Sequence, residues 1–95
     1  MDDRRPASAY ITVIGRDRVG IIADVSRLLA DANVNILDIS QTVLGDSFTM
    51  IMAVDHAKAT LDIKALADRL EAQGRGMGLS ILVQHAGIFD AMHRI

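Results

Sequence analysis

Gly45-Asp46 stands between two runs of alternating apolar and polar residues, and this juncture constrains the fold more than any other feature. Glycine at the first central position of a two-residue loop suits a type II′ turn, whose twist matches that of paired strands. The flanking runs, Val34–Leu44 and Ser47–Val54, therefore read as an antiparallel hairpin. The second sets Phe48, Met50, Met52 and Val54 against Thr49, Ile51 and Ala53. The first changes phase: Val34 and Ile36 share one parity, Ile39 and Val43 the other. One extra residue near Leu37-Asp38, a β-bulge, restores a common face that the core can bury.

On either side of the hairpin the period switches from 2 to 3.6. Ile21, Val25, Leu28 and Ala32 fall at i, i+4, i+7 and i+11, with Asp24, Arg27 and Asp31 on the opposite, solvated face. Asp17 is the expected N-cap of this helix and Asn33 its left-handed stop. Ile63, Leu66, Ala67 and Leu70 define a second helix that starts near Thr60 as cap, with Asp62 in its first turn. Gln73–Gly78, with three glycines, reads as its end and a loose connection. Two more strands complete the chain: Ala9–Ile14, ending at Gly15, and Leu79–His85.

The order is β-α-β-β-α-β. Two right-handed crossovers then give an α+β, ferredoxin-like domain over residues 9–86: a four-stranded antiparallel sheet with both helices on one face. Residues 1–8 read as a flexible tail. Residues 87–95 place Ile88, Met92 and Ile95 at i, i+4 and i+7, a docked helical turn too short to stand alone. The sheet face away from the helices would carry Tyr10, Ile14, Ile51 and Leu82, an apolar surface of the kind that meets a second subunit or a ligand.

Composition narrows the function. With 51% hydrophobic residues but one Tyr, two Phe and no Trp, the core must be aliphatic. The absence of cysteine removes disulfides, thiolate catalysis and Cys-ligated metals, and points to the cytoplasm. A net charge of −2 supplies no basic field for nucleic acid, and no apolar run approaches a membrane span. His56, His85 and His93 lack metal-binding spacing with carboxylates, and no serine sits in a nucleophile elbow. Nothing calls for a cofactor or a metal, and no catalytic set stands out.

The informative stretch is Gly15–Ile22 joined to Asn33–Ile36. A strand ends at glycine, a polar loop follows, and Gly20 lies in the opening turn of a helix. Glycine there leaves free amides open to a ligand, and amides and helix dipole together favour an anion. Equally, Gly20 could serve only close packing of helix on strand.

The segment Ile11-Thr12-Val13-Ile14-Gly15-Arg16-Asp17-Arg18-Val19-Gly20-Ile21-Ile22-Ala23-Asp24-Val25, followed by Asn33-Val34-Asn35-Ile36, resembles the ACT-domain pattern. That pattern is a strand, D-R-P-G-hydrophobic-hydrophobic, then a helix leading to V-N-I; the usual proline is Val19 here. Asp38–Val43 and Ile88–Met92 look like the stand-alone ACT proteins related to the glycine-cleavage repressor. The resemblance implies a non-enzymatic regulatory module that binds an amino acid or other small effector at a homodimer interface. Such a dimer or larger homo-oligomer would contact a regulated enzyme or a transcription regulator. Positions matching the ligand motif are Asp17, Arg18, Val19, Gly20, Ile21 and Ile22 at the helix entrance, with Asn35 and Ile36 on the second strand. In the serine-sensing dehydrogenases of the family, Asn stands where this chain has Asp17. A carboxylate there should prefer the ammonium end of a zwitterion. An enzyme of acylphosphatase type on the same framework is the alternative, with Arg16 or Arg18 and Asn35 as its anion-holding residues.

Overall fold

The computed structural model describes residues 7–88. The elements are β1 (Ala9–Arg16), α1 (Ile21–Asp31), β2 (Asn35–Leu44), β3 (Ser47–Asp55), α2 (Ile63–Met77) and β4 (Leu79–His85). They form one sheet in the order β2-β3-β1-β4, antiparallel throughout, so the ferredoxin-like α+β reading holds.

Alternation dictates the layering. Ala9, Ile11 and Val13 of β1 lie on the same face as Phe48, Met50, Met52 and Val54 of β3 and Leu79 and Ile81 of β4. Onto it pack Ile21, Val25 and Leu29 of α1 and Leu66 and Leu70 of α2. Each fully buried aliphatic side chain contributes about 1.5–3 kcal/mol relative to exposure. Among the described residues no polar or charged side chain is buried, so the core is aliphatic apart from Phe48.

The hairpin is as the turn chemistry requires. Leu44 pairs with Ser47, and Gly45 has φ +60° while Asp46 keeps a negative φ. The register of β2 on β3 slips between Ile36 and Asp38, which identifies Leu37 as the bulge. Ile36, Ile39, Gln41 and Val43 consequently share the helix-side face. The expected burial of that face does not follow. β2 is an edge strand that the helices leave largely uncovered; Val43 is 52% exposed and Leu44 79%.

Three local readings are corrected. The cap of α2 is Asp62, whose carboxylate accepts a hydrogen bond from the Ala65 amide at 2.8 Å; Thr60 precedes it in a bend. The stretch Gln73–Met77 is helical, and α2 stops only at Gly78, in the left-handed conformation. Gly74 faces β4 so closely that an added Cβ would lie 2.9 Å from the Leu79 carbonyl oxygen. The helix therefore tolerates glycine because its backbone rests on the strand. Third, β1 continues through Gly15 to Arg16. Asn33, at φ +59°, does terminate α1 as expected. A helical turn opens at Ala86, and the rest of the 87–95 reading lies outside the described residues.

Candidate functional site

The entrance to α1 is built by a four-residue loop, Asp17–Gly20, tied to the hairpin. The Asp17 amide donates to the Asp46 carbonyl at 2.7 Å, and Arg16 stands 3.8 Å from the Asp46 carboxylate at an exposed site. Asp17 does not cap the helix. The N-cap is Gly20, with φ +94° and ψ 0°, and no side chain satisfies the first turn. This left-handed conformation is costly for a residue with a Cβ, which is the reason for glycine. Packing is not: an added Cβ would meet only the Asp24 carboxylate, at 3.9 Å. The Asp24 amide is the first to reach a helical carbonyl, that of Gly20 at 2.9 Å. Regular helical bonding therefore begins at Asp24, and the amides of the first turn lie at the positive end of the helix dipole with no side-chain cap.

These amides border a groove of about 320 Å³ between α1 and the uncovered end of β2. Asp17, Arg18, Gly20, Ile21, Ile22 and Ala23 form one wall; Gln41, Val43 and Phe48 form the other. Five of the sequence-predicted residues therefore meet in one place. Val19 does not join them; it is 94% exposed at the turn of the loop. Asn35 and Ile36 lie at the opposite end of β2. Asn35 pairs with Asp55, whereas Arg16, beside the loop, pairs with Ser47; eight residues of β3 amount to about 27 Å at the antiparallel rise. Within one chain the loop and Asn35 do not converge. Gln41, Val43 and Phe48 escaped the sequence reading because only the hairpin register brings them under α1.

A second polar constellation was not legible either. Ser8 Oγ lies 2.7 Å from His56 Nδ1 and accepts the His56 amide at 2.8 Å. It also approaches the Val54 carbonyl at 3.3 Å. With the hydroxyl engaged on three sides at the ends of β1 and β3, the pair is a latch between strands. Among the described residues no three His, Asp or Glu side chains group as metal ligands. No described helix is long and apolar enough to cross a membrane.

A four-stranded antiparallel sheet carrying two helices, with an open groove at the first helix entrance, places the chain in the class of ferredoxin-like α+β domains. Residues 9–84 match the sequence pattern of the ACT domain, and the chain belongs to that family. It is 49% identical over 85 residues to the UPF0237 protein of Methanocaldococcus jannaschii, covering 90% of this chain and 94% of that one. The solved ACT domain protein from Streptococcus pneumoniae is 42% identical, with a TM-score of 0.77 over 94% of this chain and all of the other. A candidate glycine cleavage system transcriptional repressor is 28% identical, with a TM-score of 0.74; 84% of this chain covers 46% of that one.

Proposed function

We propose that this chain is a non-enzymatic regulatory module that binds an amino acid at the α1 entrance and works as a homodimer or larger homo-oligomer. The observation that carries the reading is the groove itself, where the uncapped first turn of α1 and the left-handed Gly20 face an uncovered end of β2. Amides and dipole suit a ligand carboxylate. The Asp17 carboxylate, freed from capping, suits an ammonium group.

Oligomerisation is supported by what one chain leaves open. β2 is an edge strand with an apolar helix-side face, and such edges invite pairing. Antiparallel pairing of two copies along β2 brings Asn35 of one toward the Gln41–Val43 end of the other. The 27 Å separation within a chain would then vanish, and Asn35 and Ile36 would complete the groove across the interface. The outer sheet face, where Ile14 and Leu82 are each 51% exposed beside Tyr10 and Ile51, offers a further surface for assembly. Effector binding need favour one arrangement by only about 1–3 kcal/mol to regulate a cytoplasmic enzyme or transcription regulator docked on the dimer. The acylphosphatase alternative is weaker, because Arg16 is held in the β1 ladder and Asn35 is remote from the loop.

A thermal-shift screen against the twenty amino acids tests this reading, together with sedimentation. A ligand at 100 times its Kd should stabilise by about 2.7 kcal/mol. Asp17→Asn and Asn35→Ala should each weaken its binding by about 1–3 kcal/mol at little cost to folding, the range for charge-assisted hydrogen bonds. A 10.3 kDa monomer at micromolar concentration, or a ligand indifferent to both substitutions, would overturn the proposal.

A further inference from the structure

β2 is an outer strand of the sheet, paired with β3 on one side only. The hairpin register decides which of its main-chain groups this leaves over. Leu44 and Ser47 close a two-residue turn, and such a pair exchanges both of its N–H···O bonds. Bonded and non-bonded pairs alternate from there, so Thr42 and Ser40 also bond to β3. Val43, Gln41 and Ile39 instead turn their N–H and C=O groups toward the free edge. Their side chains share the helix-side face, where Gln41 and Val43 line the α1-entrance groove.

One of these three edge amides is already engaged. The Ile39 amide donates to the carboxylate of its neighbour, the exposed Asp38, at 2.9 Å. A side-chain acceptor of this kind offers the backbone an alternative to a sheet ladder, and its charge makes the bond stronger than an amide–carbonyl one. Among the described residues no side chain accepts from the Gln41 or Val43 amide. The edge is therefore open toward the hairpin turn and closed at Ile39.

Two antiparallel registers of two copies differ in what they ask of Asp38. Centred on Thr42, each Gln41 faces the partner's Val43 and Ile39 takes no part. Asn35 and Ile36 then lie beyond the partner's hairpin turn, far from its groove. Centred on Ile39, the two Ile39 residues exchange main-chain bonds. The bulge makes Leu37 and Asp38 count as one position, so Ile36 falls opposite the partner's Gln41, with Asn35 next along the strand. Only this second register brings Asn35 and Ile36 to the partner's groove, and it requires both Asp38 carboxylates to let go.

We propose that Asp38 is a gate on the pairing of β2 with a second copy of this chain: it holds the Ile39 amide in the separate chain and surrenders it when two copies pair in the register that completes the groove. The inference rests on the homodimer reading above and adds the residue that regulates it. A ligand that favours the completed groove pulls the same equilibrium toward the open gate.

Sedimentation equilibrium of the full chain over a dilution series, without ligand, tests the gate. Asp38→Ala should lower the dimer Kd at least about tenfold, because two charge-assisted bonds no longer oppose pairing. Asp38→Asn, which keeps an acceptor but no charge, should fall between it and the parent. Glu71→Gln removes the same charge from an exposed position on α2 and should leave Kd within about twofold. Amide hydrogen exchange at monomeric dilution reads the contact itself. Relative to unstructured rates, Ile39 should exchange at least about tenfold more slowly than Gln41 and Val43, and Asp38→Ala should erase the difference. Ile39 exchanging as fast as its two neighbours, or an Asp38→Ala dimer no tighter than that of the parent or of Glu71→Gln, overturns the gate. If the parent still dimerises, the homodimer reading survives without it; if every variant stays at 10.3 kDa, both fall.

Discussion

Two glycines on one helix allow the packing of α2 on the sheet to be tested with an internal control. In a helix, Gly→Ala ordinarily stabilises by up to about 1 kcal/mol, because the unfolded chain loses more freedom with glycine. Gly76 has nothing within 4 Å of an added Cβ, so Gly76→Ala should show that gain, near about 0.5 kcal/mol in the last turn. Gly74 is buried, and the same methyl would lie 2.8 Å from Ile81 Cγ1 and 2.9 Å from the Leu79 carbonyl oxygen. The Ile81 side chain can turn aside. The carbonyl cannot, since Leu79 sits in the β1–β4 ladder opposite Gly15. Overpacking of this kind costs about 1–3 kcal/mol, which outweighs the propensity gain and leaves a net loss of about 1–2 kcal/mol. For a domain of this size each kcal/mol moves Tm by roughly 4–8 °C. Thermal unfolding followed by circular dichroism should therefore place Gly76→Ala a few degrees above the parent and Gly74→Ala below it. If both substitutions raise Tm, α2 does not rest on β4 as described, and the 73–78 segment is the loose connection that its glycines advertise.

Gly20→Ala should destabilise by about 1–2 kcal/mol, the cost of a left-handed backbone for an L-residue with a Cβ. Gly20→Asn should lose less, because Asn tolerates that region; equal stability of all three proteins in urea titrations would show that the cap is not left-handed. Asp62→Ala should cost about 1 kcal/mol through loss of the Ala65 bond. Thr60→Ala should leave denaturant midpoints nearly unchanged, and the reverse ranking would return the cap to Thr60.

The sequence alone determined the order of the elements, the Gly45-Asp46 hairpin, a bulge near Leu37-Asp38 and the stop at Asn33. These features rest on period, turn chemistry and local hydrogen bonding, all written within a few residues. It also determined the aliphatic core, since the inward positions of β1, β3 and β4 alternate without interruption. Tertiary structure decided the rest. Gln73–Met77 is helical despite its glycines because Leu70 and Gly74 continue the stripe that packs on the sheet, and no local propensity encodes that contact. Gly20, not Asp17, became the cap, because the Asp17 amide is tied to the Asp46 carbonyl of the hairpin and the chain turns into α1 only at Gly20. The groove gained Gln41, Val43 and Phe48 only through the pairing of β2 with β3. The same pairing carried Asn35 to the far end of the strand. Neighbours in a motif are set by sequence, but neighbours across a site are set by register, and register depends on partners dozens of residues away.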